Sequence, residues 1–136
     1  GHLVHIDFGF LFDIGPGGMR FEPYSFKLSH EMIDVMGGAG SQGFRMFEEL
    51  VVKAFLAARP FCDEIVDACK LMLGTELPSF KGMPTIERLR DRFKPELSER
   101  EAAAHAQWLV KDAYGNRRAV LYDKLQEVTN DIPFAR

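Results

Sequence analysis

Long apolar runs are missing from the sequence. The longest unbroken one covers residues 54–58, far short of the roughly 20 that a membrane-crossing helix requires. Cysteine is scarce: Cys62 and Cys69 are the only two. A multi-disulfide scaffold is thereby excluded. On one helix the pair would stand about 10 Å apart, beyond the reach of a bridge. A reduced, cytosolic setting is the default for such a chain. An excess of positive charge is absent as well. Seventeen Lys and Arg face twenty Asp and Glu, for a formal net charge of −3, which argues against a dedicated nucleic-acid binder. No initiator Met, signal-peptide pattern or polar lead-in precedes Gly1. A strand-like run starts almost at once, as expected of a piece of something longer.

What is present suits one packed domain. Of 136 residues, 46% are apolar and 27% charged, enough for a core and too ordered a balance for wholesale disorder. Residues 2–6 read as a strand, with residues 10–12 returning beside it in a hairpin. Residues 13–27 hold Gly15, Pro16, Gly17, Gly18 and Pro23 and keep no period, which marks a long loop, of a length that in compact domains is usually functional or disordered. Helices then fill the rest. Ser29 caps a short one that stops at Gly37-Gly38. Phe44, Phe47, Leu50, Val51, Ala54, Phe55 and Ala58 form the apolar stripe of a stronger one.

Pro60 opens a third helix, whose stripe reads Phe61, Ile65, Ala68, Cys69, Met72 and Leu73 and which ends at Gly74. Residues 77–84 form a linker. Thr85 is expected to cap a helix carrying Ile86, Leu89 and Phe93. Ser98-Glu99-Arg100-Glu101 spells a capping box, ahead of an inner face of Ala102, Ala106, Leu109, Val110 and Ala113. Asn116 caps a last helix through Thr129, with Leu121, Leu125 and Val128 in step. The expected fold is mainly α: a short N-terminal β-hairpin followed by five to six helices.

Several patterns could carry chemistry, and most have a plainer meaning. Residues 38–43 match G-x-G-x-x-G, with Asp63 at the distance of a ribose-binding acid. The fingerprint needs strands on both sides of its helix, whereas this stretch lies between helices, so a flexible turn is the better reading. The four histidines and two cysteines show no metal-ligand spacing; the cysteines read as small core residues. Arg88, Arg90, Arg92 and Lys94, with Lys81 nearby, alternate with Glu87 and Asp91, which suits a solvated helix face. Contact with an anionic membrane is the lesser alternative.

The opening is different. His5-Ile6-Asp7-Phe8-Gly9 sets a carboxylate at a strand end, followed by glycine and a long loop. Asp-Phe-Gly is the kinase signature in which the aspartate holds the Mg²⁺ that bridges the ATP phosphates. A hard cation between polyanionic phosphates requires an ionised oxygen ligand on a rigid element. Three residues alone also occur in any buried strand that ends in a turn.

The match extends much further. Residues 1–10 closely resemble the metal-binding strand of phosphatidylinositol 4-kinases, which share a family with the phosphatidylinositol 3-kinases. The resemblance continues through Gly15-Pro16-Gly17-Gly18, Phe26-Lys27-Leu28, Val35-Met36-Gly37-Gly38, Ala58-Arg59-Pro60, Leu77-Pro78-Ser79-Phe80 and Asn130-Asp131-Ile132-Pro133. Phe10 stands where 3-kinases usually carry histidine, which favours the 4-kinase branch. Ser98-Glu99-Arg100-Glu101-Ala102-Ala103 looks most like the alpha form of the type III enzymes, while Ser25-Phe26-Lys27-Leu28 looks as much like the beta form.

The resemblance implies the C-terminal part of a lipid kinase catalytic domain, a partial kinase C-lobe. Residues 1–12 would be the metal-binding strand and hairpin, 10–28 the activation loop, and 29–136 the helical part. Asp7 would be catalytic and ligate Mg²⁺, with Phe8 and Gly9 completing the motif that binds Mg·ATP. The loop's Asp13, Arg20, Glu22 and Lys27 cancel in charge, which suits an inositol ring bearing no extra phosphates. Arg20 and Lys27 are carried over as headgroup-binding residues, against ordinary solvent exposure as the other reading. The implied partners are phosphatidylinositol, a membrane surface, the N-lobe and catalytic loop of a parent chain, and regulatory proteins; nucleic acid is not among them. Location would be cytoplasmic, with peripheral membrane association. The N-lobe and catalytic loop are missing from these residues, so the chain alone is expected to be inactive. Two alternatives remain at this level: a non-catalytic helical interaction domain, and a 3-kinase or protein-kinase-related member of the superfamily.

Overall fold

A computed structural model of the chain describes residues 4, 12, 26, 28–76 and 80–115. The expected strand and hairpin, most of the loop and the last helix lie outside them. The described residues form five α-helices and one 3₁₀ turn: α1 (His30–Val35), α2 (Gln42–Ala58), the 3₁₀ turn Arg59–Phe61, α3 (Cys62–Lys70), α4 (Met83–Arg92) and α5 (Glu99–Gly115). The mainly α reading holds. The chain divides into two compact units, residues 23–60 with 96–136, and residues 1–22 with 61–95.

In the first of these units, local sequence sets the helix ends. The Ser29 hydroxyl accepts the Met32 amide and starts α1. Gly37 and Gly38 stop it, both with positive φ. Their amides bond back to the Asp34 and Ile33 carbonyls, the paired closure that left-handed glycine permits. Ser41 then serves both helices. Its Oγ donates to the Met36 carbonyl at 2.7 Å and accepts the Phe44 amide at 3.0 Å. The G-x-G-x-x-G stretch is therefore a helix-to-helix turn, with the Phe44 and Arg45 amides that follow it both engaged by Ser41. Gly43 lies so close under α1 that any Cβ there would overlap the Met36 carbonyl oxygen. Gly43→Ala is expected to cost about 1–3 kcal/mol through the forced backbone shift, read as a lower urea midpoint of the chain.

α5 packs antiparallel along α2. The Phe44 and Tyr114 rings lie 6.1 Å apart at one end, and Phe55 and His105 5.9 Å apart towards the other. Ile33, Phe44 and Val110 form the buried centre, with Phe26, Leu28, Met36, Phe47 and Val51 packed around it. Ala102, Ala106 and Ala113 are buried too, and their small side chains let two helix backbones approach. The Arg59 guanidinium donates to the Leu97 carbonyl, fastening the approach to α5. The stripe expected on α2 is corrected in part: Leu50 and Ala54 are exposed, because α1 and α5 cover only the side led by Phe44 and Val51.

The capping box forms as expected. The Glu101 carboxylate accepts the Ser98 amide at 2.9 Å and its hydroxyl at 2.7 Å, while Ser98 Oγ accepts the Glu101 amide. Ser98→Ala is expected to cost about 1 kcal/mol, again as a shift in urea midpoint. The hydrogen bonds from the Ser98 side chain and then its backbone hold the Glu101 carboxyl below its ordinary value of 4.5. The folded state thus favours the ionised form. This contribution is complete above pH 4.5 and is lost as pH falls through the lowered folded value. Glu101→Gln should remove that part of the acid dependence.

In the other unit α3 packs on α4. Cys62, Val66 and Ile86 are buried, with Cys69, Leu73, Phe80, Leu89 and Phe93 against them. Two expectations are corrected here. Of the expected stripe Cys69, and Leu73 just beyond α3, do pack here, but the buried residues of α3 are Cys62 and Val66, whereas Phe61 is 58% exposed; Ile65 and Ala68 are exposed as well. Both rows keep helical spacing, and α4 covers only one. Thr85 is not the cap of α4, which starts from Gly82 with Pro84 in its first turn. Proline suits that position because its missing N–H would be unpaired there anyway. Thr85 is instead buried, its hydroxyl accepting the Lys81 amide and an Arg88 N–H. The two cysteines are free and act as packing residues. Burial, followed by the charge of Asp63, pushes the Cys62 thiol above its usual range, which keeps it protonated and unreactive.

Candidate active site

Asp7, Phe8, Gly9, Arg20 and Lys27 all lie outside the described residues. Their described neighbours in sequence are Val4, Phe12, Phe26 and Leu28. Val4, three residues before Asp7, is 78% exposed. Phe12 adopts a left-handed backbone, φ +56°, a conformation that a bulky side chain rarely takes. Its ring meets Phe80 edge-on at 5.1 Å, just ahead of α4. That contact anchors the chain five residues after the motif aspartate.

The far end of the loop is anchored separately. The Phe26 ring packs edge-on against Phe47 of α2 at 6.5 Å, and Leu28 joins the Ile33–Phe44–Val110 cluster. Lys27 stands between these two apolar residues in sequence, two steps before the Ser29 cap. Sequence reading missed the anchoring roles of Phe12, Phe26 and Phe80. Nothing in a local pattern marks which phenylalanine meets which, since each partner is far along the chain.

The basic residues near α4 are largely engaged. The Arg90 guanidinium pairs with Asp63 of α3 at 3.3 Å, and Arg88 reaches Thr85. Exposed Arg90 and Arg92 occupy the last turn of α4, where cations suit the partial negative charge of a helix C-terminus. This fits the solvated-face reading. Among the described residues no helix is long and apolar enough to cross a membrane, and no group of three or more His, Cys, Asp or Glu is arranged to hold a metal.

Residues 1–82 match the family described as phosphatidylinositol 3- and 4-kinase, and the chain belongs to that family. Within it, the chain is 50% identical over 135 residues to phosphatidylinositol 4-kinase stt4 of Schizosaccharomyces pombe, covering 98% of the chain and 7% of that relative. It is 46% identical to phosphatidylinositol 4-kinase alpha 2 of Arabidopsis thaliana, over 93% of the chain and 25% of that relative. Identity to phosphatidylinositol 4-kinase beta of Xenopus laevis is 35%, over 97% of the chain and 16% of the relative. The similarity is thus to 4-kinases, and higher to the alpha form than to the beta. The chain spans between 7% and 25% of the length of these relatives.

Proposed function

We propose that the chain is the C-terminal part of the catalytic domain of a lipid kinase. The parent protein transfers the γ-phosphate of ATP to the 4-hydroxyl of phosphatidylinositol at the cytoplasmic face of a membrane. The observation that carries this reading is the His5-Ile6-Asp7-Phe8-Gly9 sequence, lying inside the family match over residues 1–82.

The chemistry of the donor set fits Mg²⁺. Magnesium takes one or two carboxylates and fills its remaining positions with phosphate oxygens and water. Asp7 would supply one such carboxylate; a second ligand and the group that positions the attacking hydroxyl would come from the catalytic loop of the parent. When bound, the ion neutralises charge developing on the phosphates. Phe8 and Gly9 set the direction of the Asp7 carboxylate. The segment 10–28 would read the headgroup, with Arg20 and Lys27 as its binding residues, and the helices would form the scaffold. Phosphatidylinositol, the membrane surface and the parent's N-lobe are the partners this requires, together with any regulatory proteins.

The test uses the full-length parent, γ-labelled ATP and phosphatidylinositol vesicles. Label is expected in lipid. Label in protein alone would favour a protein-kinase-related reading, and no transfer to either would favour an interaction domain. Arg20→Ala and Lys27→Ala should each raise KM for lipid several-fold while KM for ATP stays unchanged. Unchanged lipid KM would leave both as ordinary surface residues.

A further inference from the structure

Phe12 holds a backbone conformation that a bulky side chain rarely keeps, φ +56°. Such a residue persists where its surroundings over-determine it, and residues of this kind cluster at functional sites. Its ring meets Phe80 edge-on at 5.1 Å. Both residues are half-buried and belong to one compact unit. Phe80 has a firm base. It packs on the Cys62–Val66–Ile86 cluster of α3 and α4. The amide of the next residue, Lys81, donates to the hydroxyl of buried Thr85. Support for Phe12 thus comes from the helices.

We propose that Phe80 is a positioning residue for the phosphoryl transfer: acting through Phe12, it limits the freedom of the segment that carries Asp7. The inference rests on the reading of Asp7 given above. Five steps of chain separate Asp7 from Phe12, a reach of at most about 18 Å. Phe12 also stands near the start of the 10–28 segment, so one contact serves the motif on one side and the loop on the other. Groups that meet a metal and a phosphate must be held to within about 0.5 Å, by side chains that are themselves locked by packing. A misplacement of about 1 Å costs on the order of 100-fold in rate. A ring seated on the α3–α4 cluster supplies such a lock. An aromatic pair is also directional, preferring the edge-on arrangement found here. An aliphatic side chain at position 80 would pack on the cluster yet lose that orientation.

The test uses the full-length parent and a non-hydrolysable ATP analogue, with affinity read by calorimetry in Mg²⁺ and again in a chelator. Phe80→Leu keeps apolar packing on the cluster. It should weaken binding about fivefold or more in Mg²⁺, because only molecules with the aspartate in place bind through the metal. Binding in chelator should be unchanged. Turnover on phosphatidylinositol vesicles should fall about tenfold or more, and amide exchange in the peptide over residues 4–12 should rise about tenfold or more. Phe80→Tyr keeps the ring and should behave as the unaltered parent. Phe12→Leu should match Phe80→Leu, and the double variant should be no worse than either. Leu89→Ala is the control, since it removes packing from the same cluster and leaves both rings. Additive losses, an unchanged affinity in Mg²⁺ for Phe80→Leu, or an equal loss in Leu89→Ala would overturn the proposal. Asp7→Asn separates that failure from a failure of the underlying reading. If it abolishes the Mg²⁺ effect while Phe80→Leu does not, only the positioning role falls. If it binds like the unaltered parent, the reading of Asp7 falls and the proposal with it.

Discussion

Asp7→Asn in the full-length parent is expected to leave the fold intact and to reduce lipid phosphorylation by about 10³-fold or more. The two side chains are nearly equal in size, so packing barely changes. The charge does not survive. On the proposed reading Asn would offer only a neutral amide oxygen to a dication shared with polyanionic phosphates, and metal stabilisation of that kind amounts to several kcal/mol in the transition state. Each 1.36 kcal/mol is about tenfold in rate, which sets the size of the loss. Turnover on phosphatidylinositol vesicles at saturating Mg·ATP measures it. Amide exchange across α1–α5 shows whether the scaffold is unchanged. Near-normal turnover would remove Asp7 from the chemistry.

Phe44→Ala carries the largest expected loss of stability, about 3–5 kcal/mol. Phe44 is buried where α1, α2 and α5 meet, touching the Ile33–Val110 cluster and the rings of Phe47 and Tyr114. Truncation leaves a cavity that rigid helices cannot fully close. Whole domains hold only about 5–15 kcal/mol, so the unit would be left marginal. A urea titration of the chain followed by circular dichroism measures the shift. By comparison Phe61→Ala, at an exposed ring, should change the midpoint little.

The contrast between these two phenylalanines shows what the sequence could and could not reveal. Ser29 and Ser98 cap their helices as read, and Gly37-Gly38 ends α1, because each device is complete within a few neighbouring residues. The Ser98–Glu101 box and the alanine face of α5 were legible for the same reason. Which apolar row of α3 is covered was not legible. Phe61-Ile65-Ala68 and Cys62-Val66-Cys69 are equally periodic, and the choice is made by α4. Leu50 and Ala54 fail as expected core residues because α1 and α5 pack on the other side of α2, leaving both exposed. Thr85 has the chemistry of a cap, but Gly82 and Pro84 begin α4 earlier and leave its hydroxyl to hold the Lys81 amide. At the candidate site, the reading of Asp7 rests on the long run of matching residues around it, and Asp7 itself lies outside the described residues. The Phe12–Phe80 contact, whose partners are separated by α1, α2 and α3 in sequence, left no local trace.

The most direct measurement is the position of the phosphate on the lipid product. Full-length parent, Mg·ATP and phosphatidylinositol vesicles are incubated, and the deacylated product is separated against inositol phosphates of known ring position. The predicted result is phosphate on the 4-hydroxyl when Asp7 is intact, and none when the Asp7→Asn variant replaces it. Phosphate on the 3-hydroxyl, or label appearing only in protein, would contradict it.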